Sequence, residues 1–147
     1  QQPVAKDLRT ITAALKMVTD MERIGDHASD ISELVIDMKD CPILFNVDRF
    51  KEMYSNVVSM LIQSINAYVN KDIQMAKECI KEDDEIDLLF DKNKEDLIQL
   101  IHENPEKGRA AVDLLMVNKY LERIGDHVTN IAEWVIYSLD NNPVNEQ

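Results

Sequence analysis

The sequence predicts an all-α protein built as an antiparallel helical bundle. Its 147 residues include only three glycines and four prolines, and no Asn-Gly or Asp-Gly turn separates short apolar runs. Long stretches instead repeat apolar residues at spacings of three and four, the period of an amphipathic helix. Short polar turns join these stretches, and such turns make consecutive helices antiparallel neighbours.

The first predicted helix covers about residues 4–39. Pro3 suits a first helical turn, and Pro42 ends the helical region. After a linker at 41–47, the second helix covers about 48–69. Its expected apolar face comprises Phe50, Tyr54, Val57, Val58, Leu61, Ile65 and Tyr68.

The third predicted helix runs from a cap at Asp72 to about residue 101. The fourth begins with a cap at Asn104 and with Pro105 at its first position, and it ends near residue 139. Its expected apolar seam comprises Val117, Leu121, Ile124, Val128, Ile131 and Val135.

Charge and cysteine content limit the possible partners. Acidic residues outnumber basic ones 28 to 16, and the net charge is −12. This balance argues against nucleic acid and anionic lipid as ligands and favours metal cations or basic protein patches. The sequence contains no run of about 18 apolar residues, the length that a membrane-spanning helix needs. The two cysteines, Cys41 and Cys79, are expected to be free thiols.

An internal repeat is the strongest signal in the chain. Glu-Arg-Ile-Gly-Asp-His at 22–27 recurs at 122–127, and ten of fifteen positions are identical between 22–36 and 122–136. Such self-similarity indicates duplication. The second copy ends a group of three helices, whereas the first copy lies on a helix with no two helices before it. We therefore expect an N-terminally shortened chain with two repeat units.

This duplication predicts the domain organisation. The chain divides into the last helix of an incomplete first repeat, a linker, a complete three-helix second repeat and a flexible tail. Their boundaries are 1–40, 41–47, 48–140 and 141–147.

Each motif copy carries a column of oxygen side chains. Residues four apart stack along one helix face, and stacked like charges repel, so such a column is typical of a cation site. The columns are Glu22, Asp26 and Asp30 in the first copy, and Glu122, Asp126 and Asn130 in the second.

Two carboxylates of the third helix, Asp83 and Asp87, fall within its apolar stripe. Buried carboxylates are costly unless they are paired or bind a metal. Asp87 lies 17 residues before Asn104, and Glu122 lies 18 after it. An antiparallel pair of helices therefore brings the two aspartates level with Glu122 and Asp126, where they could hold more than one metal ion.

Simpler explanations exist for parts of the motif. The acidic columns could be solvated faces of an acidic protein. Gly25 and Gly125 each cost roughly 1 kcal/mol in a helix relative to alanine, which favours close approach by a neighbouring helix or by a bound cluster.

The remaining motif residues are poorly placed to ligate the same metal. His27 and His127 follow the acids directly, so they point about 100° away from them. Arg23 and Arg123 either form salt bridges, which is the expectation, or meet an anion. No E-x-x-H, H-E-x-x-H, P-loop or G-x-S-x-G pattern indicates catalysis.

These motifs resemble the PhoU family of bacterial and archaeal phosphate-uptake regulators. The first helix, with residues 3–9 leading to the acids at 22–26, looks like that family's motif helix. Residues 120–127, 130–133 and 136–137 look like its C-terminal counterpart. The family is built from two three-helix bundles with paired E/D-x-x-x-D motifs. The resemblance implies that the second bundle is whole and that the first keeps only its last helix.

The resemblance also implies a function. Such proteins repress the phosphate-starvation response from the cytoplasm, as non-enzymes that bridge the phosphate ABC transporter's ATPase subunit and a sensor histidine kinase. They reach the membrane only through these partners. A metal cluster is implied, with iron or zinc first and Mg, Mn, Ni or Ca as further candidates. A carboxylate-bridged metalloenzyme and a metal-storage bundle are the alternatives.

The first helix also carries a prediction about assembly. It is expected to expose an apolar stripe, and either to lie on the 48–139 unit or to exchange with another copy. A homodimer or a helix-exchanged oligomer is therefore expected.

Overall fold

The structure, a computed structural model, describes residues 3–40 and 46–140. These residues form four long helices and no strand. Each predicted helix end lies within three residues of the observed one, and the all-α fold class is confirmed. Residues 41–45 of the predicted linker, which include Cys41, and the predicted tail lie outside the described residues. The helices are α1 (Pro3–Asp37), α2 (Asp48–Asn70), α3 (Ile73–Glu103) and α4 (Gly108–Leu139), with short 3-10 helices at Met38–Asp40 and Pro105–Lys107.

The turn between α2 and α3 consists of only two residues. Lys71 adopts a left-handed conformation with φ 54°, and its N–H donates to the Tyr68 carbonyl. The Asp72 carboxylate accepts a hydrogen bond from the Met75 N–H at 3.0 Å, which confirms the predicted cap. So short a connection makes α2 and α3 antiparallel neighbours.

The turn between α3 and α4 uses backbone rather than side-chain capping. The Asn104 N–H donates to the Leu100 carbonyl, and the Asn104 carbonyl accepts from the Lys107 N–H at 2.9 Å. Asn104 is the N-cap residue of the 3-10 helix and Pro105 stands at its start, as predicted, but the Asn104 side chain accepts no capping hydrogen bond from the described backbone. The first hydrogen bond of the 3-10 helix that begins at Pro105 instead runs from the Lys107 N–H to the Asn104 backbone carbonyl.

Helix α4 lies at the centre of the molecule and packs against each of the other three helices. Its predicted apolar seam, from Val117 to Val135, is buried at every position, which confirms that part of the sequence analysis. Helices α2, α3 and α4 thereby form a three-helix unit around one apolar core.

The buried face of α2 differs from the predicted one. Phe50 and Val57 are buried as expected, but Tyr54, Ile65 and Tyr68 are exposed. The face that packs on α3 and α4 instead combines methionines with small residues, which allow the helices to approach closely. Its members are Phe50, Met53, Val57, Met60, Ser64 and Ala67.

A buried amide pair fixes the register between α3 and α4. Asn93 is 1% exposed and donates from Nδ2 to Oδ1 of Asn118 at 3.0 Å. Asn118 in turn donates to the Phe90 carbonyl at 3.0 Å. Sliding either helix would leave these polar groups buried without partners, which is costly.

Helix α1 packs antiparallel along the outer side of α4. Near its start, Arg9 donates to the Asp140 carbonyl at 3.0 Å and lies over the Tyr137 ring. Further along α1, the ring centroid of His27 lies 5.5 Å from that of Tyr120, which is in the first half of α4. This arrangement matches the first of the two predicted placements of α1, on the three-helix unit.

The side of α1 that faces away from α4 carries an exposed apolar stripe. Its members recur at spacings of four and three, as a helix-packing seam does. They are Val4, Leu8, Ile11, Leu15 and Val18. None of the helices formed by the described residues combines the length and apolarity that crossing a membrane requires.

Candidate metal centre and repeat junction

The antiparallel packing of α3 and α4 gathers three carboxylates into one cluster. Asp83, Asp87 and Asp126 each offer an oxygen atom, and these atoms lie within 4.8 Å of one another. Asp83 and Asp87 are one turn apart on α3, and Asp126 comes from the duplicated motif on α4. The sequence predicted that Asp83 and Asp87 lie level with Asp126 on the neighbouring helix, and the structure brings these three residues together.

Asp83 is the most enclosed member of this acidic cluster. Its Oδ1 atom is buried and has no hydrogen-bond partner among the described residues. A Cβ atom on Gly125 would lie only 3.2 Å from this oxygen and 3.4 Å from Cγ2 of Ile86. The expected close approach of a neighbouring helix is therefore confirmed at Gly125, where glycine leaves room for the Asp83 carboxylate.

The cluster concentrates negative charge that is only partly compensated. Burial, reinforced by Asp87 and Asp126, raises the pKa of Asp83 to about 6. Burial and then the charge of Glu122 raise the pKa values of Asp87 and Asp126 as well. Lys119 lowers the pKa values of Asp87 and Asp126 but does not outweigh burial and the neighbouring carboxylates, so the ionised cluster favours a further positive charge.

Two other predicted ligands of the second motif are engaged elsewhere. Glu122 stands beside the cluster, and its carboxylate forms an ion pair with Lys119 one turn away. Asn130 donates from Nδ2 to Oδ1 of Asp20 on α1 at 3.2 Å, so it faces the other helix interface. The structure thus brings Glu122 to the edge of the acidic cluster but places Asn130 outside it.

The first motif copy forms no comparable cluster with described residues. Glu22 and Asp26 are exposed, and Asp30 lies near His27, with Oδ2 at 3.6 Å from Nδ1. A Cβ atom on Gly25 would meet nothing within 4 Å, in contrast to Gly125. Within residues 3–40 and 46–140, Asp83, Asp87 and Asp126 are the one group of three metal-ligating side chains.

The acidic cluster fits a metal ion chemically. Its donors are carboxylate oxygens, which suit hard cations and are also accepted by iron, manganese and zinc. The buried, unpartnered Oδ1 of Asp83 is the observation that supports this fit, because an ionised oxygen in such a position needs a positive charge beside it.

The two motif copies meet at a second feature, the repeat junction between α1 and α4. The rings of His27 and His127 stack with centroids 5.6 Å apart. Nδ1 of His127 lies 2.9 Å from Oδ1 of Asp20, and the His27 ring packs against Tyr120. Asp20 and Tyr120 occupy equivalent positions in the two copies, 100 residues apart, as the two histidines do. Each histidine therefore contacts the same position of the other copy, which relates the copies by a pseudo-two-fold axis.

Asp20 is a residue that sequence reasoning missed. It is only 9% exposed and bridges His127 and Asn130. It lies outside the identical part of the repeat, since Tyr120 occupies the equivalent position. The available signal was a charged residue two positions before the motif, close in sequence to the apolar Met17.

Fold and site together define a class of all-α proteins in which duplicated helical motifs carry paired carboxylates. The chain belongs to the PhoU domain family, whose profile matches residues 1–35 and 50–135. The resemblance seen in the sequence is confirmed.

Relatives and solved structures agree with this assignment. A protein named "Phosphate-specific transport system accessory protein PhoU homolog" from Clostridium acetobutylicum is 39% identical over 145 residues, which are 98% of this chain and 66% of that protein. A protein of the same name from Deinococcus radiodurans is 32% identical over 136 residues, 92% of this chain and 64% of that protein. The chain therefore spans about two thirds of the length of the curated relatives it matches.

The fold of the chain matches two crystal structures. PhoU from Pseudomonas aeruginosa superposes with a TM-score of 0.89 at 31% identity, over 95% of this chain and 67% of that one. The phosphate transport system regulatory protein PhoU from Streptococcus pneumoniae gives a TM-score of 0.87 over 99% of this chain and 68% of that one. Its identity is 24%, so it supports the fold alone.

Proposed function

We propose that this protein regulates phosphate transport and represses the phosphate-starvation response as a metal-binding helical scaffold. The observation that carries the metal-binding part is the acidic cluster, with its buried and unpartnered Asp83 oxygen. The regulatory part is supported by the curated relatives, which are named as accessory proteins of a phosphate-specific transport system. The role is that of a regulator and not of an enzyme.

Asp83, Asp87 and Asp126 would hold the metal, with Glu122 at the edge of the site. Iron and zinc are the first candidates, and Mg, Mn, Ni and Ca also accept oxygen ligands. The ion would supply positive charge, since the cluster combines several carboxylates within a short distance. Because the ligands come from α3 and α4, binding would also tie these two helices together.

The proposed partners are the ATPase subunit of the phosphate ABC transporter and a sensor histidine kinase. With a net charge of −12, the chain has acidic faces that suit basic patches on other proteins. A bound cation would neutralise one acidic face selectively, so metal occupancy would alter which surface is complementary to a partner.

Paired aspartate variants test this proposal. Asp83→Asn/Asp87→Asn removes two carboxylates from the cluster, whereas Asp84→Asn/Glu85→Gln removes two exposed carboxylates from the same helix. We expect the first variant to lose bound iron or zinc, measured by elemental analysis, and to lose capture of the purified ATPase subunit and kinase. The control variant should keep both.

Three outcomes would count against the proposal. If both variants retain metal and partners like the unmodified chain, the acidic cluster is a solvated face. Metal-dependent turnover of a redox or hydrolytic substrate, or metal uptake without any partner capture, would favour the enzyme and storage alternatives respectively.

A further inference from the structure

The repeat junction contains a pocket with an unusual charge for this acidic protein. It is an open depression of about 430 Å³ lined by five residues, all from the duplicated motif. Arginine and histidine come from both copies, so the pseudo-two-fold packing of α1 on α4 places equivalent cationic and imidazole groups together. We call it the junction pocket; its lining is Arg23, His27, Arg123, Asp126 and His127.

The two arginines of the junction pocket have no carboxylate partner among the described residues. Neither Arg23 nor Arg123 forms an ion pair there, although acidic residues outnumber basic ones 28 to 16 in the chain. The salt bridges expected from the sequence are therefore not formed with residues 3–40 or 46–140. Arg123 instead lies 5.9 Å from the centroid of the Tyr120 ring.

The histidines of the junction pocket differ in their hydrogen bonding. Nδ1 of His127 is satisfied by Asp20. Nδ1 of His27 is buried without a hydrogen-bond partner among the described residues, since Oδ2 of Asp30 stands 3.6 Å away. The pocket lining therefore includes one histidine whose Nδ1 has no hydrogen-bond partner among the described residues.

Asp126 is the one acidic residue of the lining. Its carboxylate belongs to the acidic cluster and lies within 4.8 Å of the oxygens of Asp83 and Asp87. Two guanidinium groups thus stand against one carboxylate among the lining residues, while Asp20 and Asp30 lie beside the two histidines. A guanidinium presents its N–H groups as a planar fork that matches two oxygens of a carboxylate or phosphate.

We propose that the junction pocket binds a small tetrahedral oxyanion of the phosphate class between Arg23 and Arg123. The acidic surface repels anions at long range, so binding depends on local, bidentate contacts rather than on the field of the whole chain. The proposal stands on the charges of the pocket and requires neither metal at the acidic cluster nor a docked partner.

Calorimetric titration of the metal-free chain with inorganic phosphate, at constant ionic strength, tests this site. We expect saturable binding by the unmodified chain and at least tenfold weaker binding by Arg23→Gln/Arg123→Gln. Arg23→Lys/Arg123→Lys should lie between them, because lysine keeps the charge but lacks the planar fork. Both arginines are exposed, so the variants should keep the fold, which circular dichroism verifies.

Two further variants separate the junction pocket from general charge and from the acidic cluster. Lys92→Gln/Arg109→Gln removes two exposed positive charges elsewhere and should bind phosphate within twofold of the unmodified chain. Asp83→Asn/Asp87→Asn should also keep binding. The proposal is overturned if millimolar phosphate gives no saturable heat, if the Lys92/Arg109 variant loses as much binding as the arginine pair, or if only the aspartate variant loses it.

Discussion

At the scale of single residues, two identical motif copies acquire different environments. A Cβ atom on Gly125 would touch Asp83 and Ile86 of α3, whereas one on Gly25 would meet no atom of another described helix within 4 Å. The same sequence therefore performs a packing role in one copy only. Comparing substitutions at the two positions therefore separates the low helix propensity of glycine from the space that Gly125 leaves for the Asp83 carboxylate.

Substituting each motif glycine by alanine should give different results. Gly25→Ala should stabilise the chain by about 1 kcal/mol, because alanine favours the helix and meets nothing. Gly125→Ala should lose this gain and weaken cation binding, since its Cβ would crowd the Asp83 carboxylate. Urea unfolding and metal titration measure both effects. Equal stabilisation with unchanged cation binding would show that Gly125 has no role in the site.

The protonation of Asp83 links the acidic cluster to stability. Its pKa in the folded chain, about 6, lies above its unfolded value because of burial and the nearby charges of Asp87 and Asp126. The folded state therefore binds this proton more tightly than the unfolded state does. The resulting stabilisation is complete below about pH 4 and is lost as the pH rises through about 6.

Asp83→Asn should accordingly stabilise the metal-free chain at pH 7 by about 1 kcal/mol, after allowance for solvent screening at this partly exposed site. At pH 3.5 the variant and the unmodified chain should have nearly equal stability. Urea unfolding in the presence of a chelator, compared at the two pH values, measures this. A difference that does not change with pH would show that the Asp83 charge is already compensated in the folded chain.

At the scale of helices, the buried face of α4 was fully predictable and that of α2 only in part. All six seam positions of α4 are buried because this helix has neighbours on several sides and its large apolar residues leave no ambiguity. On α2, apolar residues cover a wide arc. Packing selected Met53, Met60 and Ser64 for the buried face and left Tyr54 exposed. Periodicity locates an apolar arc, but neighbouring helices decide which part of it is buried.

The asparagine pair between α3 and α4 gives an element-scale prediction. Asn118→Ala would remove the hydrogen bonds that Asn118 makes with the Asn93 amide and the Phe90 carbonyl, leaving the amide only a weak contact with Met53 Sδ. It should cost about 2 kcal/mol in the free energy of unfolding. Asn66→Ala, at an exposed position of α2, should change it by less than about 0.5 kcal/mol. Thermal or urea unfolding compares them. Equal effects would mean that the buried pair contributes no stability.

At the scale of the whole molecule, we expect the exposed stripe on α1 to govern assembly. An apolar seam with helix-packing spacing is a surface that another helix can cover. The predicted homodimer or helix-exchanged oligomer would use this surface, which α1 keeps while its other side packs on α4.

Sedimentation at several concentrations tests this expectation. The average mass of the unmodified chain should rise with concentration, and Leu8→Gln/Leu15→Gln should abolish the rise. Ile62→Gln/Val69→Gln on α2 is a matched control, since its residues are 55% and 68% exposed against 63% and 65% for the leucines. A monomer at every concentration, or an equal effect of the control, would show that the stripe does not drive association.

The sequence by itself determined the helices, their antiparallel order, the duplication and the family, because these follow from local periodicity, turn chemistry and a motif of identical residues. It also paired Asp83 and Asp87 with the second motif, since equal rise per residue fixes the register of two helices joined by a short turn. Only the tertiary structure decided that Asn130 turns to Asp20 and that Arg23 and Arg123 share a pocket. These arrangements depend on how α1 packs against α4, about 100 residues away in sequence, and no local pattern encodes that contact.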